Sequence, residues 1–133
     1  MAQEAEVREE LRRLRTRLPH ATGALVAVVD GLVLAQDADT VEAEAAAALT
    51  AAALGVGLRL TDAAGHGTFR ELLVRGEHGY VAIYAAGTAC VLTVLAGPEV
   101  NVGRLHMEAR RSGAHIAHLV DGATDVREDA PTP

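Results

Sequence analysis

Few side chains in this sequence could do chemistry: one serine (Ser112), one cysteine (Cys90), six histidines and no lysine. Without a lysine ammonium there is no Walker-type grip on nucleotide phosphates and no amine for a Schiff base. His115 and His118 stand three apart, a spacing at which two imidazoles on a helix could share a metal ion. His106 lies nine residues before His115, close to half a turn out of phase on the helical period, so it points elsewhere and no third ligand completes the pair. Ser112 stands in Arg111-Ser112-Gly113, without the strand-to-helix elbow that exposes a nucleophilic hydroxyl. Cys90 falls in the middle of an apolar, strand-like segment, the setting of an inert buried thiol. The carboxylates gather at helix ends and in the C-terminal tail, so no acid/base couple is set between apolar residues. Gly55-Val56-Gly57 and Gly65-His66-Gly67 begin like a dinucleotide fingerprint. Neither has the third glycine or a parallel strand-to-helix setting, and both read as helix termination and loop punctuation. The residues predict no enzyme, no cofactor and no metal centre.

Composition narrows the remaining classes. Half of the 133 residues are apolar, enough for one packed domain and too few for two. A formal net charge of −6 offers no attraction to phosphate backbones or anionic lipid, so neither nucleic acid nor membrane is expected as a partner. Phe69, Tyr80 and Tyr84 are the only aromatic residues, little with which to stack a flat cofactor or a run of bases. A single cysteine closes no intrachain disulfide and fits a reducing compartment. Met1 to Glu6 is acidic and polar, unlike a signal peptide, and a cytoplasmic location is the expectation. The uncharged stretch from Gly79 to Pro98 approaches the length of a membrane span. Gly87 and Thr88 interrupt it and Val, Ile, Tyr and Thr dominate its halves, which predicts two buried strands joined by a tight turn.

The elements follow from periodicity. Val7, Leu11, Leu14 and Leu18 form one helical stripe, so a first helix is predicted over 3–18, ended by Pro19. Arg12, Arg13, Arg15 and Arg17 border that stripe and read as a solvated face rather than a basic binding patch. Ala24 to Val29 and Leu32 to Ala35 are strand-like runs around Asp30-Gly31, a dipeptide suited to the two positive-φ positions of a type I′ hairpin turn. A second helix is predicted over 41–54, capped by Asp39 or Thr40 with Glu42 as the capping-box partner. Its alanines would let another helix, or its own symmetry mate, approach closely, or they reflect only alanine's high helix propensity and a GC-rich coding bias. Strands are then expected over 68–75, 79–85 and 88–96. The third of the five carries Arg70, Glu71 and Arg75 and belongs at a sheet edge, with the uncharged fourth and fifth inside. After Gly97-Pro98 a last helix is predicted over 100–120, its inner face formed by Val102, Leu105, Ala109, Ser112, Ile116 and Leu119. The acidic, proline-containing tail over 123–133 is expected to be disordered beside a domain of 1–122. The predicted fold class is α+β, a five-stranded antiparallel sheet with three helices in the order α-β-β-α-β-β-β-α and helices layered on the sheet as in profilins.

Val26 to Ala35 with its central Asp30-Gly31, the alanine-rich helix, Phe69-Arg70-Glu71, Gly79-Tyr80-Val81 and Ala89 to Leu95 together resemble the roadblock/dynein-light-chain family over about residues 7–120. The resemblance implies a homodimer formed by pairing the third strand across a two-fold axis while the second helices pack side by side. By position, Ala45, Leu49, Ala52 and Ala53 on the helix and Phe69, Arg70, Glu71 and Leu72 on the strand would lie at or near that interface. It further implies a regulator or scaffold for a small Ras-like GTPase, in a bacterial system that often includes a sensor-kinase-like protein. No catalytic residue is implied. A small-ligand sensor of profilin-like or PAS-like form, or a purely structural assembly subunit, are the alternatives.

Overall fold

The computed structural model describes residues 2–38 and 42–129. The elements are α1 (Ala2–Arg17), β1 (Ala21–Val28), β2 (Val33–Ala38), α2 (Ala43–Ala63), β3 (Glu71–Gly76), β4 (Gly79–Ala86), β5 (Cys90–Ala96) and α3 (Val102–Asp129). All five strands are antiparallel neighbours in the order β2-β1-β5-β4-β3. The charged third strand is thus an edge, as expected, and the uncharged fourth and fifth lie inside.

Two cores form because β-strand side chains alternate between faces. On one face Val7, Leu11, Leu14 and Leu18 from the α1 end pack with Leu105, Ala109 and Ile116 of α3 over Val26, Leu92 and Val94. On the other face α2 contributes Ala47 and Leu54, which pack with Phe69 over Leu25, Ala27, Ile83 and Val91. The predicted stripes of the first and last helices are therefore the buried ones. The uncharged segment considered as a membrane span forms β4 and β5.

Several expectations are corrected. The β1–β2 connection is not a type I′ turn: Gly31 N–H donates to the Val28 carbonyl at 2.8 Å, and Gly31 has φ +98° while Asp30 has no positive φ. A register shift between Val26 and Ala27 accompanies this longer loop, in which glycine alone takes the left-handed position. Cys90 is the first residue of β5, not its middle, and is buried. β3 begins at Glu71, so Phe69 and Arg70 lie before the strand, although the Arg70 carbonyl still accepts from Ala85 N–H at 3.0 Å.

The largest correction concerns α2, which continues past Leu54 through Gly55 and Gly57 to Ala63. A Cβ on Gly57 would stand 2.5 Å from the Phe69 ring. Glycine there lets the helix lie directly on the ring, and that packing outweighs its propensity cost of about 1 kcal/mol. Termination falls to Gly65, at φ +71°: Gly65 N–H donates to the Asp62 carbonyl and His66 N–H to that of Thr61, the paired bonds of a Schellman cap. The predicted cap at Asp39 or Thr40 and the start at Val41 lie outside the described residues, and Glu42 occupies the N-cap position without a side-chain cap hydrogen bond. α3 starts two residues later than predicted, where the Asn101 side-chain oxygen accepts from Arg104 N–H at 2.9 Å. It runs through Gly122 to Asp129.

Candidate interaction face and its flanking polar clusters

The open face is built by α2 and the β3 edge. β3 pairs with β4 on one side and with no strand on the other among the described residues. α2 buries Ala47, Thr50, Leu54 and Gly57 against the sheet and turns the opposite stripe outward. On that stripe Ala45 and Ala52 are exposed, and so are Val56, Leu60 and Leu49, the last at 72%. Val74, 47% exposed, faces the same side from β3, because it opposes Val81 in the register. Between helix and strands lies an almost wholly apolar groove of about 250 Å³ that includes Leu49, Ala53, Val74, Val81 and Leu95. α2 is long and apolar enough to cross a membrane by length and composition, yet its inner face is packed on the sheet here.

The predicted interface residues divide accordingly. Ala45, Leu49 and Ala52 are exposed, whereas Ala53 and Leu72 are half-buried and rest on the α2-side core. Phe69 is 4% exposed and belongs to that core. Arg70 is exposed, and Glu71 points to the opposite sheet face. Val56, Leu60 and Val74 escaped the sequence reading. The first two lie beyond the predicted end of the helix, and Val74 stands on the edge strand, beside which no further strand pairs among the described residues.

Glu71 is held in a fork by Arg110, whose Nε and Nη2 donate at 2.8 and 2.7 Å, with His106 Nδ1 at 3.3 Å. Those hydrogen bonds keep the Glu71 carboxyl below the usual carboxylate range, against a smaller opposing effect of burial. His106 Nδ1 also lies 2.8 Å from the Tyr84 hydroxyl, and burial pushes that phenol well above its ordinary value. Arg70, Glu71, Tyr84 and Arg110 line an open cavity of about 580 Å³. Burial likewise raises the Cys90 thiol, with the Asp121 charge adding to it.

A second cluster joins α1 to α3. Glu10, 4% exposed, accepts from Ser112 Oγ at 2.6 Å and from Arg17 Nη2 at 3.1 Å, while Arg17 Nε donates to Glu108 at 3.2 Å. Ser112 is therefore a buried structural donor. Arg15 pairs with Asp37 at 3.4 Å, so Arg15 and Arg17 are half-buried partners rather than members of a wholly solvated face. One sequence signal pointed here: Glu10 and Arg17 fall on the Val7–Leu14 stripe, where a charge needs a partner.

Burial raises the Glu10 pKa, but the Ser112 and Arg17 hydrogen bonds and the Arg17 charge outweigh it and leave a net lowering. A carboxylate lowered in the folded state stabilises fully above its unfolded pKa, and that contribution fades as pH falls through the folded value. Urea titrations across the acid range should show Glu10→Gln to be less stable than wild type near neutrality, by about 2 kcal/mol. The gap should start to narrow as pH falls past the ordinary Glu value of about 4.3 and vanish once pH is below the lowered folded value. A pH-independent gap would rule out a charged role for Glu10.

A five-stranded antiparallel sheet with this strand order, two helices on one face and a half-covered alanine-rich helix on the other defines a roadblock-type α+β domain. The chain belongs to the Roadblock/LC7 domain family, whose model matches residues 7–96. It is 35% identical over 95 residues to the uncharacterized protein MJ1340 of Methanocaldococcus jannaschii, covering 71% of this chain and 82% of that one. The gliding protein MglB of Thermus thermophilus superposes with a TM-score of 0.84 at 20% identity, over 92% of this chain and 93% of the other. A further MglB structure, described as a tetrameric arrangement, gives 0.85 at the same identity and coverage. Members of the family are regulatory or adaptor proteins.

Proposed function

We propose that the chain acts as a homodimer that binds a small Ras-like GTPase and modulates its nucleotide cycle or its location. The observation that carries this reading is the unpartnered apolar face in which the outer stripe of α2 runs beside a free β3 edge. A second copy related by a two-fold axis satisfies both at once: β3 pairs with β3 through its open backbone groups, and the alanine-rich helices come together over the groove. The tetrameric arrangement described for an MglB of similar fold supports self-association. The compartment is the cytoplasm, and a sensor-kinase-like protein is a further partner.

The test combines the purified chain with a candidate Ras-like GTPase, loaded with GDP or with GTP. A co-eluting complex, with GTP hydrolysis or nucleotide exchange changed by at least about tenfold, about 1.4 kcal/mol, is the expected result. A complex that leaves both rates untouched identifies a scaffold or a structural subunit. No complex with either nucleotide state removes the GTPase from the proposal.

A further inference from the structure

On the sheet face opposite α2, a polar groove of about 450 Å³ runs between α1 and α3, lined by Glu10, Arg13, Arg17, Arg111 and His115. Three guanidinium groups against one carboxylate give the lining a formal +2 with the imidazole neutral, in a chain whose net charge is −6. The one negative charge is already spent. Glu10 Oε2 accepts from Ser112 and Arg17, at 2.6 and 3.1 Å, and its Oε1 takes Arg13 Nη1 at 3.3 Å, with His115 Nε2 4.0 Å away. From α3, Glu108 is occupied by Arg17 Nε at 3.2 Å, and Arg104 turns its Nη2 to the Arg17 carbonyl at 2.8 Å.

What remains is cationic. Arg111 is exposed and has no ion-pair partner among the described residues. Arg13 engages Glu10 through Nη1 alone, and its side chain is 52% exposed. The planar fork of a guanidinium matches a carboxylate in two parallel hydrogen bonds, which a diffuse ammonium patch would not supply. We propose that this groove docks an acidic segment of a partner protein, with carboxylate side chains entering between Arg13 and Arg111. A long polyanion such as nucleic acid is opposed by the negative charge of the whole chain. A short acidic segment meets only the local positive field, and the groove stays open when α2 and β3 are covered.

Fluorescence anisotropy of a labelled hexaglutamate peptide, titrated with the full chain at low salt and compared with hexaglutamine, tests this. Hexaglutamate alone should bind, less tightly as salt rises, and the Arg13→Glu/Arg111→Glu variant should weaken it at least about tenfold. Amide chemical shifts of the wild type keep the test independent of how well that variant folds: peptide-induced shifts should cluster at residues 10–17 and 108–118. Hexaglutamate that fails to bind, equal affinity in a folded double variant, or shifts centred on α2 or β3 would each overturn the proposal. So would displacement of the peptide by inorganic pyrophosphate at lower concentration than by unlabelled hexaglutamate, which would mark a small-anion site.

Discussion

On the proposed two-fold dimer, Leu49→Glu combined with Val74→Glu should leave a 13.8 kDa monomer under conditions in which the wild type is expected at twice that mass. Both side chains stand in the open face, at 72% and 47% exposure, so the changes remove far less packing within the protomer than a core substitution would. In the proposed two-fold assembly every substitution counts twice. Losing the burial of one Leu or Val side chain costs about 1.5–3 kcal/mol, and an unpaired carboxylate inside an apolar contact adds to it. Even at partial burial the total exceeds about 3 kcal/mol, or at least a hundredfold in dissociation constant. Sedimentation equilibrium over a wide concentration range reads this directly. A double variant that sediments as the wild-type dimer would place the interface elsewhere.

Phe69→Ala should be the most destabilising single change in the α2 layer. The ring is buried and lies against Gly57 of α2. Deleting a buried phenyl ring typically costs about 3–5 kcal/mol, which for a domain of this size lowers the melting temperature by roughly 12–20 °C. Gly57→Ala checks the cause. In the wild type its new Cβ, 2.5 Å from the ring, should destabilise by about 1–3 kcal/mol through overpacking. Once Phe69 is alanine, the same change should turn neutral or stabilising, because alanine outranks glycine in a helix by about 1 kcal/mol. Additive effects in this thermodynamic cycle would show that the ring and the glycine are not coupled.

That pair also explains why α2 outruns its local sequence preference. Gly55 and Gly57 are poor helix residues, so local preference ends α2 near Leu54, yet the helix continues to Ala63. Only the Phe69 ring, brought in by the chain leading to β3, makes a side-chain-free position favourable at Gly57. Likewise Thr68 to Arg75 reads as one extended run and the family resemblance puts Phe69 at or near an interface, whereas β3 starts at Glu71 and the ring fills the core. The ion-pair network of Glu10, Arg17, Glu108 and Ser112 was equally hidden, since Glu10 and Ser112 are 102 residues apart. Spacing can mark a charge on an apolar stripe without naming the partner that neutralises it.

The number, type and order of the elements, and the inner faces of the first and last helices, follow from local pattern alone. Stripes such as Val7, Leu11, Leu14 and Leu18, and strand runs such as Ala89 to Leu95, are periodic within a few residues, and periodicity is a local property of the backbone. Where α2 ends, which way Phe69 points, how the buried charges pair and which apolar surface is left uncovered follow from the packed fold. Those outcomes depend on contacts between segments far apart in the chain, and their free energy exceeds the local preferences they override.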